Sequence, residues 1–217
     1  MTVKGNDLAA KVRRRVRKLM SKGRGSHGFD HVKRVLALSL RIGEEVGADL
    51  EVLTLAALLH DVGRQEEAES GGKSCHARIG SEMAGDMLRS YGAGPGMVRR
   101  VKECVREHRY RGGSPPRSLE ARILYDADKL DSLGAVGIGR AFLFAGEVGA
   151  RLHNSEKKAL EGRSYSSEDT AYREYLVKLR KIPPQMKTGA GRRLARERAH
   201  YMEEFFDRLG LETGGRV

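Results

Sequence analysis

A run of apolar residues that ends abruptly in a histidine and an aspartate constrains this chain more than any other feature. The segment from Thr54 to Leu59 carries apolar residues on every face of a helix, and His60 and Asp61 follow it directly. Such a segment is normally buried, and burying a polar or charged side chain without a partner is costly. A divalent metal ion would offset that cost, because imidazole nitrogen and carboxylate oxygen are both good ligands.

The composition favours a soluble globular protein with a substantial core. The chain has 217 residues, of which 39% are hydrophobic and 32% are charged. No stretch approaches the roughly 18 consecutive apolar residues of a membrane span, and the basic N-terminus lacks the apolar run of a secretion signal. Two cysteines, Cys75 and Cys104, do not make a disulfide framework. We therefore expect a cytoplasmic protein with no membrane partner.

The formal net charge of +12 is concentrated in two places. Residues 1–24 hold nine lysines and arginines against one acidic residue, Asp7, and a second basic patch lies between Lys187 and Arg198. Such a balance favours phosphorylated small molecules or nucleic acid as partners. However, Val12 and Val16 recur at helical spacing, so the arginines between them can simply face solvent. We expect a basic N-terminal helix, with nucleic acid only a secondary partner.

Apolar residues recur at helical spacing almost throughout, and no alternating β pattern of useful length occurs. The sequence predicts an all-α, single-domain helical bundle, with helices over residues 30–46, 49–62, 76–91, 97–108, 119–133, 134–149, 172–181 and 190–209. On the last helix we expect four side chains to face inward, namely Leu194, Tyr201, Phe205 and Leu209. Residues 65–74 are polar and glycine-rich and predict a surface loop.

We divide the chain into a basic helix over 1–24, a core over 25–145 and a helical extension over 146–217. Within this extension, residues 151–169 are polar and predict irregular structure. The segment near 150–170 is a candidate mobile flap.

Four polar residues lie at positions that helical periodicity turns inward, and they could share one ion: His31, His60, Asp61 and Asp128. His31 lies on the apolar stripe of its helix, and Asp128 shares a face with Leu124 and Asp131. Adjacent residues differ by about 100° around a helix, so His60 and Asp61 can occupy neighbouring ligand positions. Ligation by nitrogen and oxygen without thiolate suits Mn²⁺, Fe²⁺, Co²⁺, Ni²⁺ or Mg²⁺ better than structural zinc.

These residues resemble the H…HD…D signature of the HD superfamily of metal-dependent phosphohydrolases. Three further motifs resemble a branch of small HD-domain hydrolases, uncharacterised or of nucleotide-pyrophosphohydrolase type. The motifs are HGFDHVKRV at 27–35, HARIG at 76–80 and DADKLDSLGAVGIGR at 126–140. The resemblance covers residues 25–145. It implies an all-α fold, a divalent ion held by the four residues, and hydrolysis of a small phosphorylated substrate, in particular a nucleotide.

The resemblance also suggests which cationic side chains bind phosphate. Arg64 follows the HD doublet, Lys129 adjoins a predicted ligand, and Arg140 ends the last motif. Each could instead form a surface salt bridge. Arg64 stands where some relatives place a catalytic glutamate, which leaves the general acid or base unassigned. Glu66 and Glu67 follow closely, but the predicted loop gives no reason to direct either one at the metal.

Four other residues are candidates for the site. His76 and His108 could hold a second ion, donate a proton or bind phosphate, or they could be ordinary core histidines. His27 is a weaker candidate for phosphate binding. Asp131 could orient a ligand or a water molecule, or it could pair with a basic side chain.

Two alternatives to a nucleotide phosphohydrolase stay open on sequence grounds. One is a phosphodiesterase acting on cyclic nucleotides or oligonucleotides. The other is a nucleic-acid-binding or ligand-sensing HD protein without turnover. The sequence leaves undetermined the substrate, the native metal (manganese among the candidates), the number of ions and the oligomeric state.

Overall fold

The structure, a computed structural model, describes residues 3–22, 28–71, 73, 75–109 and 115–217. Within these ranges the regular elements are all helical, which confirms the predicted all-α class. The α-helices are α1 (Val3–Leu19), α2 (Phe29–Val46), α3 (Leu50–Leu59), α4 (Arg64–Glu69), α5 (His76–Ser90), α6 (Pro95–Glu107), α7 (Leu119–Leu130), α8 (Gly134–Glu147), α9 (Glu156–Glu161), α10 (Ala171–Val177) and α11 (Gly189–Thr213). Short 3₁₀ turns cover Met20–Lys22, Leu179–Lys181 and Pro183–Gln185.

Helix α3 is the buried centre of the first part of the chain. Every residue from Val52 to Leu59 is buried, and helices α1, α2, α5 and α6 all contact α3. Asp49 caps its N-terminus by accepting from the backbone N–H groups of Glu51 and Val52, at 3.0 and 3.1 Å. Gly47 ends the preceding helix in the left-handed conformation, with φ 69°, that glycine adopts without strain. The predicted burial of the apolar run is confirmed.

Helix α1 packs on α3 through one apolar stripe. Val12 and Val16 are fully buried there. The basic side chains between and beside them are exposed, namely Arg13, Arg14, Arg15 and Arg17. The prediction that the arginines between the buried valines face solvent is confirmed.

Two predicted boundaries near the HD doublet are wrong. Helix α3 ends at Leu59, three residues before the predicted end at Val62, so His60 and Asp61 lie in the following turn. The predicted loop over 65–74 contains helix α4, which begins at Arg64. Its residues are good helix formers, but it has no apolar stripe to mark it in the sequence.

The chain divides into two compact units, residues 1–128 and 129–217, and the division falls near the end of α7. In the second unit α8 contacts α10 and α11, and the ring centroids of Phe142 on α8 and Phe206 on α11 are 6.5 Å apart. The rings of Tyr175 and Phe206 stack with centroids 4.6 Å apart. On α11 the prediction for Tyr201 is wrong, because this side chain is 50% exposed while Met202 and Phe206 are buried.

Residues 151–169 include α9, which the sequence did not predict. The segment is closed by Asn154, which is buried, donates to the Glu168 carbonyl at 3.1 Å and accepts from Thr170 Oγ1 at 2.8 Å. The flap stays a prediction. Among the described residues, none of the helices is both long enough and apolar enough to cross a membrane.

Candidate metal centre

Three side chains from distant parts of the chain form what we call the first ligand group: His31, His60 and Asp128. His31 lies in the first turn of α2, His60 follows α3, and Asp128 lies in the last turn of α7. His31 Nε2 is 3.2 Å from His60 Nε2 and 3.4 Å from Asp128 Oδ1. Both histidines are buried, and Asp128 is partly exposed.

The orientation of His60 is fixed by its own backbone. Its Nδ1 lies 2.8 Å from the carbonyl oxygen of Ala57, which can only accept, so Nδ1 carries the proton. Nε2 is then the unprotonated nitrogen, with its lone pair directed at the other members of the group. Burial lowers the pKa of His60 to about 4, which keeps the ring neutral at physiological pH.

The second ligand group consists of Asp61, His76 and His108. His76 begins α5 and His108 follows α6, and all three side chains are buried. The Nε2 atoms of the two histidines are 3.2 Å apart, and they lie 3.6 and 3.7 Å from Asp61 Oδ1. His108 Nδ1 donates to the Val105 carbonyl at 2.6 Å, the same anchoring that His60 has.

A close contact between two backbone segments brings His76 to the HD turn. A side chain at Gly63 would place its Cβ 2.5 Å from the His76 carbonyl oxygen and 2.6 Å from the Gly80 nitrogen. Only glycine therefore permits the turn after α3 to approach the start of α5 so closely. The turn that carries Asp61 and the helix that carries His76 meet for this reason.

Asp61 belongs to both groups geometrically. Its Oδ2 is 3.6 Å from His31 Nε2 and 3.5 Å from His60 Nε2, while its Oδ1 faces His76 and His108. Burial would raise the pKa of the Asp61 carboxyl, yet the neighbouring histidines and the Arg64 guanidinium hold that pKa well below its usual range. Asp61 is therefore a carboxylate with one oxygen directed at each group.

The spacing of these atoms fits divalent ions. Ligand atoms about 2.1 Å from an ion and 90 to 109° apart lie about 3.0 to 3.4 Å from one another. The two separations from His31 Nε2 in the first group, 3.2 and 3.4 Å, and those of 3.2 to 3.7 Å within the second group are close to that range. Mixed nitrogen and oxygen donors without thiolate suit Mn²⁺, Fe²⁺, Co²⁺, Ni²⁺ or Mg²⁺.

Arg64 is the predicted phosphate-binding side chain that lies beside the ligands. Its Nε donates to Asp61 Oδ2 at 2.5 Å, and its side chain is 29% exposed. This is an ion pair with a buried carboxylate and not the surface salt bridge that the sequence left as an alternative. Lys129 lies in the last turn of α7 and is half-buried.

Asp131 and Arg140 contact each other in the second unit. Arg140 Nη1 donates to Asp131 Oδ2 at 2.8 Å and approaches the Asp131 carbonyl at 3.2 Å. Of the two alternatives that the sequence left for Asp131, the structure shows pairing with a basic side chain, Arg140. His27, predicted as a weaker phosphate ligand, lies outside the described residues.

The sequence interpretation set Glu67 aside and did not name Arg109. Glu67 lies on α4, and its Oε2 is 2.8 Å from His76 Nδ1. Arg109 follows α6, donates to Glu67 Oε1 and places Nη1 2.8 Å from His76 Nδ1. No apolar periodicity marks either residue, and the predicted loop at 65–74 directed attention away from Glu67.

Comparisons with known proteins identify the family of this chain. The family profile described as HD domain matches residues 28–133, a range that contains all six residues of the two ligand groups. The Bacillus subtilis protein YpgQ is 31% identical over 211 residues, which cover 95% of this chain and 94% of that protein. The sequence similarity to YpgQ therefore extends over nearly the full length of both chains.

Solved structures show the same likeness. The crystal structure of Bacillus subtilis YpgQ in complex with ADP has a TM-score of 0.75 at 28% identity, covering 97% of each chain. An HD-superfamily hydrolase from Bacillus thuringiensis has a TM-score of 0.75 at 25% identity, covering 97% of this chain and 98% of that one.

Proposed function

Because this chain belongs to the HD superfamily of metal-dependent hydrolases, we propose that it hydrolyses a phosphomonoester or phosphoanhydride bond of a nucleotide at a centre of two divalent ions. The observation that carries the proposal is the position of Asp61, whose two carboxylate oxygens face two different sets of ligands. A carboxylate in that position is suited to bridge two ions.

The donor atoms divide naturally between the two ions. His31, His60, Asp128 and Asp61 Oδ2 would hold the first, and His76, His108 and Asp61 Oδ1 would hold the second. His76 and His108 are thus assigned to ion binding, in preference to the proton transfer or phosphate contact that the sequence left open. The second ion would receive fewer protein ligands, which would leave it more positions for substrate.

Bound divalent ions lower the pKa of a water molecule and withdraw charge from phosphoryl oxygens. The chain supplies the rest of the reaction environment. Asp61 would hold the two ions side by side, and the buried histidines would surround them with a protein interior of low dielectric constant. In the reaction a water oxygen bonds to phosphorus, the bond from phosphorus to the leaving oxygen breaks, and the water proton ends on the leaving group or in solvent.

Arg64 is the candidate for holding phosphate charge. Its guanidinium lies against Asp61, so a substrate phosphate at the ions would be within the reach of a side chain that is always cationic. Lys129 and Arg140 stay in the proposal as secondary phosphate contacts. Asp131 stays in it through its ion pair with Arg140, which would fix the orientation of that side chain.

A nucleotide is the favoured substrate for two reasons. The relative YpgQ was crystallised in complex with ADP, and it matches 97% of this chain. The net charge of +12 also favours anionic substrates. Membership of a family of hydrolases in turn favours an enzyme over a nucleic-acid-binding protein without turnover.

A panel of nucleotides tests the proposal. Chelator-treated protein is supplied with Mn²⁺, Mg²⁺, Co²⁺ or Ni²⁺ and incubated with nucleoside mono-, di- and triphosphates, cyclic nucleotides and short oligonucleotides. Released phosphate identifies a phosphatase, released pyrophosphate a pyrophosphohydrolase, and new monoesters a phosphodiesterase. We expect turnover of a mono-, di- or triphosphate with Mn²⁺ among the active metals. Absence of turnover with every nucleotide and metal would contradict the proposal.

A further inference from the structure

His76 differs from the other anchored histidines in what holds its Nδ1. His60 and His108 donate to backbone carbonyls, whereas His76 Nδ1 meets two side chains, Glu67 and Arg109. Glu67 Oε2 is 2.8 Å from the ring nitrogen and can only accept. Arg109 Nη1 is also 2.8 Å from it and can only donate.

Glu67 and Arg109 favour different tautomers of the His76 ring. If Nδ1 donates to Glu67, Nε2 is unprotonated and can coordinate an ion beside His108. If Nδ1 accepts from Arg109, the proton of the neutral ring moves to Nε2, which faces His108 Nε2 at 3.2 Å and cannot bind a metal. The ring therefore coordinates only in the tautomer that Glu67 favours.

Glu67 also accepts a hydrogen bond from Arg109, the side chain that competes with it for His76 Nδ1. Arg109 donates to Glu67 Oε1, so one carboxylate accepts from the arginine through one oxygen and from His76 through the other. The Glu67 and Arg109 side chains are 19% and 23% exposed, which leaves them partly shielded from water beside a buried imidazole. A carboxylate paired with a guanidinium in this way is well oriented.

We infer that Glu67 is the positioning residue of the second ligand group, setting the His76 tautomer against the competing donor Arg109. The inference rests on the two-ion part of the proposed function and on no particular substrate. It assigns Glu67 and Arg109 a role in ion binding at His76, and it predicts that their effects are not independent.

The tautomer can be observed without any metal. In metal-free protein carrying ¹⁵N-labelled histidine, two-bond ¹H–¹⁵N spectra report which ring nitrogen is protonated, and a His76→Gln variant assigns the signals. We expect His76 protonated at Nδ1 in the wild type and in Arg109→Ala, and at Nε2 in Glu67→Ala. A Glu67→Ala variant that keeps the proton on Nδ1 overturns the inference.

Ion binding supplies the second readout. The metal-free variants are titrated with Mn²⁺ by calorimetry. In Glu67→Ala the weaker ion should bind about 10- to 100-fold less tightly, the usual effect of removing a residue that hydrogen-bonds to a metal ligand. The affinity for the tighter ion should not change. The double variant Glu67→Ala/Arg109→Ala should recover most of that loss. Glu67→Gln is nearly identical in shape to the wild type, so it serves as a second variant in case Glu67→Ala does not fold. It should weaken the binding of the same ion.

The matched control is Glu69→Ala, also on α4, whose carboxylate accepts from Gln65 at 2.8 Å. It should bind both ions like the wild type. Equal losses in the single and double variants would mean that Arg109 does not compete, which overturns the inference. A wild type that binds one ion overturns it too. A chain with both ions and the expected tautomer that hydrolyses no nucleotide contradicts the proposed function alone.

Discussion

The two ligand groups present similar atoms but hold them differently. His60 in the first group is anchored by a backbone carbonyl, which no substitution at another position can remove. His76 in the second group is anchored by Glu67 and Arg109, two side chains that reach it from α4 and from the end of α6. The first group also has its own carboxylate, Asp128, in addition to the shared Asp61.

This difference has a consequence for affinity. An ion with four protein ligands and a backbone-anchored histidine should bind more tightly than one with three ligands and a histidine held by side chains. We therefore expect a tight first ion and a weaker, adjustable second ion. Asp61 faces both groups, because its Oδ2 lies near the first group and its Oδ1 lies near the second.

Replacing Asp61 should have the largest effect because it removes a ligand from both groups. We expect Asp61→Asn to lower kcat/KM by about 1,000-fold or more, because ions supply several kcal/mol of transition-state stabilisation and each 1.4 kcal/mol is tenfold. Steady-state kinetics on the nucleotide that the panel identifies measures it. Asp86→Asn is the control, since Asp86 pairs with Arg89 on the exposed surface. Full turnover by Asp61→Asn would show that the assignment of the catalytic site is wrong.

His60 and His108 form a matched pair for separating the groups. Each ring donates from Nδ1 to the carbonyl three residues earlier, so each alanine substitution breaks an equivalent anchor. His60→Ala should lose the tighter ion in a Mn²⁺ titration, while His108→Ala should lose only the weaker one. If both variants lose the same ion, the division into two groups is wrong.

Arg64 tests the side of Asp61 that faces the first group. Its Nε donates to Asp61 Oδ2, so Arg64→Gln removes a cation that competes with the ion for that oxygen. We expect kcat/KM to fall about 10- to 100-fold, the size of one charged hydrogen bond, without weaker binding of the tighter ion. Parallel losses in kcat/KM and in ion affinity would show that Arg64 only supports the ligands.

A smaller effect is expected on the stability of the metal-free protein. Burial lowers the pKa of both His60 and His76 to about 4, and for His76 the charges of Arg64 and His108 add to it. The unfolded chain takes up these protons near pH 6.5 and the folded chain does not, so stability is full above that pH. It should fall as the pH drops from 6.5 to 4, by up to about 1.4 kcal/mol per pH unit for each histidine.

Denaturant unfolding in the presence of a chelator measures this dependence. His60→Gln and His76→Gln should each remove a large share of the slope, because each removes one histidine whose pKa burial lowers to about 4. A slope that neither substitution changes would show that other groups cause the loss of stability.

Much of this arrangement could be predicted from local pattern. The apolar run before His60, the stripe that carries His31 and the alternation of valines and arginines on α1 all follow from helical periodicity, and the structure agrees with each. The early end of α3 could not be predicted, because the apolar pattern continues to Val62 while the helix ends at Leu59. The close approach of Gly63 to His76 could not be predicted either, because the two residues are distant in sequence.

Other contacts could not be predicted because they also join residues that are distant in sequence or lack an apolar pattern. Glu67 lies on a short polar helix without an apolar face, and its partners His76 and Arg109 belong to other helices. For Asp131 the sequence allowed either ligand orientation or pairing with a base, and only coordinates identify Arg140 as the contact. On α11, Tyr201 and Met202 are neighbours in sequence, and helical periodicity alone did not distinguish which one is buried.

The stoichiometry of Mn²⁺ binding tests the central claim most directly. Metal-free wild-type protein is titrated calorimetrically, and electron paramagnetic resonance then reports whether the bound ions interact. The arrangement around Asp61 predicts two ions per chain, bound with different affinities and magnetically coupled through the shared carboxylate. A single isolated ion per chain, or two ions that do not interact, would contradict it.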